Sequence, residues 1–167
     1  MHELAITVIG PDRTGIVADV AEALAGVGAN LTDSTMTRLR GHFTMTLICT
    51  GPSASEASSV LAELTDVVTS VRPVSPEVDS VKAGEPYVVS VHGADRLGIV
   101  AAVARVVASA DGNITDLSTR LAGSLYVLIA EVDLPVGATD ELAERLAVAA
   151  SELGVDVTLR RAESEIL

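Results

Sequence analysis

The tetrad Asp-Arg-x-Gly occurs twice in this chain, as Asp12-Arg13-Thr14-Gly15 and as Asp95-Arg96-Leu97-Gly98. Each copy follows a short apolar run and precedes a segment with helical spacing, so each predicts a strand-to-helix junction. Free amides at a helix start can receive a carboxylate, helped by the positive end of the helix dipole. The candidate amides are those of Gly15, Ile16 and Val17, and of Gly98, Ile99 and Val100. A neighbouring carboxylate could accept from an α-amino group, which gives that role to Asp12 and Asp95. The same aspartates also suit helix N-caps, accepting from amides one turn in, and both readings stand at this point. Glycine in a first helical turn costs about 0.5–1 kcal/mol against alanine. Its presence at both places points to close approach of a ligand to the backbone, or of helix to sheet.

Asn30 and Asn113 open the strand that follows each helix. A side-chain amide both donates and accepts, so it suits a zwitterion, and the two are expected to return to the loop's end of the sheet. A plain turn asparagine is the alternative. Arg13 and Arg96 are expected to face solvent or a domain interface. His42 aligns with Ser124 and His92 with Ile9, so the histidines do not repeat, and neither does His2. No Ser-His-Asp set, Cys-x-x-Cys pair, phosphate-cradling glycine loop or cofactor fingerprint is present in the sequence. The sequence therefore assigns no catalytic residue, no metal ligand and no cofactor.

The elements around these loops come from a duplication. Between Val8 and Asp33, 14 of 26 positions recur identically 83 residues later, where chance would give one or two. Asn30-Leu31-Thr32-Asp33 returns as Asn113-Ile114-Thr115-Asp116, and beyond it the best match slips to 82, pairing Thr37-Arg38-Leu39 with Thr119-Arg120-Leu121. Each half reads strand, helix, strand, strand, helix, strand. The strands are predicted at 3–10, 30–40, 42–50 and 69–76, then at 86–93, 113–122, 124–132 and 155–162. The first helices carry Ile16, Val17, Val20, Ala21, Leu24 and Val27, mirrored by Ile99, Val100, Val103, Ala104 and Val107; the second carry Ala57, Val60, Leu61, Leu64 and Val68, and Leu142, Leu146, Ala149 and Leu153. Pro73 argues for an edge strand. This order predicts an α+β fold of two ferredoxin-like βαββαβ domains, at residues 1–77 and 86–167 with a linker at 78–85. The second strands should lie at edges, where pairing them would make one eight-stranded sheet.

Composition narrows the function. The formal charge of −12 is shared evenly, with four basic against ten acidic residues in 1–80 and seven against thirteen in 81–167. Nucleic-acid binding needs a cationic face, so direct DNA or RNA contact is disfavoured. Aromatics are 2%, too few for a stacking platform. The lone Cys49 reads as a buried thiol. No signal-peptide pattern and no membrane-length apolar run is present, which predicts a cytoplasmic protein without membrane contact.

The repeated Gly-x-Asp-Arg-x-Gly-Ile-Val, followed by Asn-(Ile/Leu)-Thr-Asp, resembles the ACT domain over nearly the whole chain, in the tandem form of ACT-only amino-acid-binding regulators. The resemblance implies domains that pair side by side and hold a small amino acid by the loop after the first strand and the start of the second. By position it points to Asp12, Gly15 and Asn30 in one half, and to Asp95, Gly98 and Asn113 in the other. It implies a regulatory partner protein, a transcription factor or metabolic enzyme, and is compatible with a homodimer. Pro11 and Thr14 become Ala94 and Leu97 in the second copy, so the two sites need not be equivalent. Beside this amino-acid sensor stand a protein-interaction regulator with little ligand dependence, and an acylphosphatase-like enzyme using Arg13 with Asn30.

Overall fold

The computed structural model describes residues 3–75 and 84–163. The chain divides into two compact units, Met1–Asp79 and Ser80–Leu167. The first runs β1(Glu3–Pro11), α1(Ile16–Ala25), β2(Asn30–Leu39), β3(His42–Thr50), α2(Ala54–Leu61), β4(Val68–Val74). The second runs β5(Gly84–Ala94), α3(Ile99–Ser109), β6(Asn113–Ala122), β7(Leu125–Pro135), α4(Thr139–Leu153), β8(Asp156–Arg161). Gly84 and Glu85, expected in the linker, already belong to β5, and residues 78–83 lie outside the described residues.

Each unit is an antiparallel four-stranded sheet, ordered β2-β3-β1-β4 and β6-β7-β5-β8. The second strands are edges as expected, and so is β4 with its Pro73. The strands sort into two sheets of four, one in each unit.

Alternation decides which sheet face is covered. Leu4, Ile6 and Val8 of β1 meet Phe43, Met45, Leu47 and Cys49 of β3 and Ile16, Val20 and Leu24 of α1 in one buried cluster. Val89 and Val91, Leu128, Ala130 and Val132, and Ile99, Val103 and Val107 do the same in the second unit. The i, i+4, i+8 spacing puts all three apolar residues of α1, and of α3, on one stripe. Each fully buried Val, Leu or Ile contributes about 1.5–3 kcal/mol, so these two clusters dominate stability. α2 starts on a capping box: Ser53 Oγ accepts from the Glu56 amide at 3.1 Å, and the Ser53 amide donates to Glu56 Oε2 at 2.9 Å. It ends at Leu61, so Leu64 and Val68 do not extend its face, and Val68 opens β4 with 76% of its surface exposed. A helix stripe and a strand start share the same apolar residues, and the turn at 62–67 decides between them.

The two units share one register. Gly10 faces Phe43 as Gly93 faces Tyr126, and Arg38 faces Phe43 as Leu121 faces Tyr126. The offset therefore stays at 83 through the hairpin, and the slip to 82 read from Thr-Arg-Leu is not followed. The turns differ instead: Arg40 and Gly41 both take positive φ, whereas the second turn places its glycine one position earlier, at Gly123. A bulge interrupts each second strand at Thr32 and Thr115. There the threonine hydroxyls donate to the carbonyls of Ile48 and Glu131, each at 3.3 Å. Repetition of Asn-x-Thr-Asp thus has a backbone cause as well.

Candidate functional site

The loops between β1 and α1, and between β5 and α3, hold the repeated motif, and most of its residues serve the fold. A Cβ on Gly10 would come within 2.6 Å of the Asp66 carbonyl, and one on Gly93 within 3.0 Å of Val155. The first glycine of the motif is therefore a point of close approach to the segment that follows the second helix. Gly15 and Gly98 are different. Nothing lies within 4 Å of a Cβ at either, but their φ values are 85° and 89°. A side chain there costs roughly 1–2 kcal/mol in backbone strain, which alone explains glycine at both places.

These glycines are also the N-caps, with no side-chain hydrogen bond at either helix start. The reading of Asp12 and Asp95 as N-caps is thereby corrected: the left-handed glycine turns the chain into the helix and leaves each aspartate three residues away. The Asp12 amide donates to the Gly41 carbonyl at 2.9 Å, and its carboxylate pairs with Arg38 at 3.5 Å. Among the described residues no Lys or Arg pairs with Asp95, which is exposed.

Both arginines are exposed, as expected, and each also has a partner within its own unit. Arg13 Nε donates to Asp66 at 2.6 Å and its Nη2 reaches Asp19 at 2.8 Å. Hydrogen bonding to Asp66 and then Asp19 raises the guanidinium pKa, and the bond from Arg13 lowers that of Asp66. Arg96 Nη1 donates to the Leu153 carbonyl at the end of α4, at 2.7 Å. Arg13 thus ties its loop to the turn after α2, and Arg96 ties its loop to the C-terminal end of α4. The partners Asp66 and Leu153 are distant in sequence and carry no motif, so sequence reading had no signal for them.

Asn30 and Asn113 are exposed and lie at the other end of the sheet. Asn30 faces Thr50, which also faces Glu3 at the start of β1; the loop follows Pro11, opposite His42. Eight residue steps at ~3.3 Å separate the two ends, about 26 Å. The expectation that they return to the loop is corrected for the asparagine and loop of any one unit. A helix crossing back to a second strand parallel to the first must deliver that strand's start beside the first strand's start. Arg13 and Asn30 are separated likewise, and with them the pair an acylphosphatase-like site would need.

Ile16 and Ile99 are buried, at 3% and 2% exposure, so they can offer a ligand only their amides; that of Ile16 already reaches the Arg13 carbonyl at 3.4 Å. Val17 and Val100 are near 40% exposed, at 39% and 38%. In the second unit the loop borders an open cleft of about 390 Å³, lined by Asp95, Arg96, Leu97, Gly98, Ile99, Val100, Ala101 and Tyr126. Tyr126 was not anticipated. Its signal was present: it is one of three aromatic residues in the chain, and the register sets it where the first unit has the fully buried Phe43. The Cys49 thiol is buried, as read from its apolar run, and burial pushes its pKa up.

Two βαββαβ units, each with the same strand-to-helix loop, define a tandem of ferredoxin-like modules. The chain belongs to the ACT domain family, whose model matches residues 2–70 and 85–160. One unit's length of it is 41% identical over 75 residues to a UPF0237 protein of Methanopyrus kandleri, covering 44% of this chain and 83% of that protein. A UPF0237 protein of Methanocaldococcus jannaschii is 40% identical over 75 residues, with the same 44% and 83% coverage. Over the full length, the crystal structure of a protein described only as unknown, from Galdieria sulphuraria, superposes with a TM-score of 0.83 at 30% identity, covering 97% of this chain and 99% of that one. A protein provisionally assigned as a glycine cleavage system transcriptional repressor shares the fold with a TM-score of 0.76 at 22% identity, covering 98% of each chain. No helix among the described residues is long and apolar enough to cross a membrane.

Proposed function

We propose that this chain is a non-enzymatic regulatory protein of two tandem ACT domains that binds a small amino acid and reports it to a partner protein. The observation that carries this reading is the cleft at the β5–α3 loop. It brings Asp95, a carboxylate with no Lys or Arg partner among the described residues, to the N-terminal end of α3, where first-turn amides have no intrahelical acceptor. A zwitterion needs those two features a few ångströms apart: an acceptor for its ammonium, and donors for its carboxylate in the positive field of the helix. Leu97, fully exposed, and the ring of Tyr126 give an apolar border for a side chain. Family membership supports the same reading.

Interaction without a ligand is the second reading. It is favoured by Leu117, Leu121 and Leu125 on or beside the edge strand β6, each 38–47% exposed. Thermal unfolding with each of the twenty amino acids tests the first against the second. At least one should raise the midpoint, and Asp95→Asn should weaken its binding by on the order of 1–3 kcal/mol through the lost charged hydrogen bond. No shift with any of the twenty, or a shift that Asp95→Asn leaves unchanged, overturns sensing at this loop.

A further inference from the structure

We infer that the two units are not equivalent binders: the second takes the ligand, and the first is closed to it by its own Arg38. The inference rests on the sensing reading above and adds which unit binds and which residue decides. The shared register is the ground for it. Arg38 of β2 stands directly across from Phe43, and the same place in the second unit holds Leu121 directly across from Tyr126. Direct cross-strand partners have their Cβ atoms only about 4.5–5.5 Å apart, so these two exchanges alter one spot beside each loop.

In the first unit that spot carries a cation, and Asp12 is already its partner at 3.5 Å. An incoming ammonium would have to displace the guanidinium and then sit beside it, so it meets repulsion where the second unit offers attraction. Arg13 adds to this by bridging Asp19 and Asp66 across the same loop. Phe43 is fully buried and brings no hydroxyl. In the second unit Leu121 is uncharged, Tyr126 lines the open cleft, and among the described residues Asp95 has no Lys or Arg partner. The ion pair of the first unit thus occupies the position the ligand's ammonium would take in the second.

Titration calorimetry of the full chain tests this, using whichever of the twenty amino acids gives the largest thermal shift on the unmodified protein. The expected stoichiometry is one per chain, abolished by Asp95→Asn and unaffected by Asp12→Asn. Arg38→Leu should add a second binding event, and Leu121→Arg should weaken the first at least tenfold. Arg38 is 69% exposed in its side chain and Leu121 43% exposed, so both variants keep the core. Unchanged thermal unfolding without ligand would verify that. Two equal sites in the unmodified chain, or a single site lost with Asp12→Asn, overturn this inference and leave sensing standing. No thermal shift with any amino acid overturns sensing and this inference together.

Discussion

At the scale of single residues, the repeated motif separates into parts with different physical causes. Gly10 and Gly93 admit a neighbouring backbone, Gly15 and Gly98 supply positive φ, and Ile16 and Ile99 fill the core. Among the described residues Asp95 has no Lys or Arg partner, whereas Asp12 is paired with Arg38, which is why ligand chemistry is argued from Asp95 and the first-turn amides of α3 and not from the glycines. The Arg13–Asp66 bond makes a separate prediction about acid. The Asp66 pKa is lowered by its bond from Arg13, so its contribution to stability is complete above the unfolded carboxylate value of about 3.9. It is lost as pH falls below that value, through the lowered folded one. Asp66→Asn should therefore lower the unfolding midpoint at neutral pH, and the gap to the unmodified chain should close as pH drops below about 4. Melting curves across pH measure this; a gap constant with pH would mean the carboxylate charge is not what stabilises the loop.

At the scale of elements, each loop is held by one arginine, to the turn after α2 in the first unit and to the end of α4 in the second, through different chemistry. The first unit uses an ion pair; the second uses a guanidinium on a helix-terminal carbonyl, where a cation also meets the negative end of the α4 dipole. Arg96→Ala removes both, and should destabilise the second unit by about 0.5–1.5 kcal/mol. Arg96→Lys should recover part of this. Chemical denaturation of both variants decides it, and the loss should be insensitive to pH between about 3 and 6, unlike that of Asp66→Asn. The bulges at Thr32 and Thr115 belong to the same scale. They lie at corresponding places in the two edge strands, and each is bridged by a threonine hydroxyl that donates to a carbonyl of the neighbouring strand.

At the scale of the whole chain, charge and duplication set the terms. A formal charge of −12 spread over both halves opposes binding to phosphates. The purified protein should not retard duplex DNA in a gel at physiological salt, and control of a gene would then pass through another protein. A sequence-specific footprint made by this chain alone would show the opposite. Two units, each with its own buried cluster, also allow one to specialise without unfolding the other. Arg38 and Leu121 illustrate this: both are exposed edge-strand residues outside the buried clusters, and the exchange sets a cation beside one loop and none at the same place beside the other.

The sequence by itself determined the duplication, the order of all twelve elements, the apolar stripes and the two loops at strand-to-helix junctions. These depend on periodicity and turn chemistry, which act over a few residues and can be read locally. It also carried the edge positions of the second strands and of the strand with Pro73. What the tertiary structure decided is pairing between distant segments. It placed Asn30 and Asn113 at the far end of each sheet, joined Arg13 to Asp66 and Arg96 to Leu153, and held the register at 83 where identity pointed to 82. Antiparallel ladders fix such neighbours by hydrogen bonds between strands, and a crossing helix reverses the chain between them. Neither effect leaves a mark on the residues whose positions it sets.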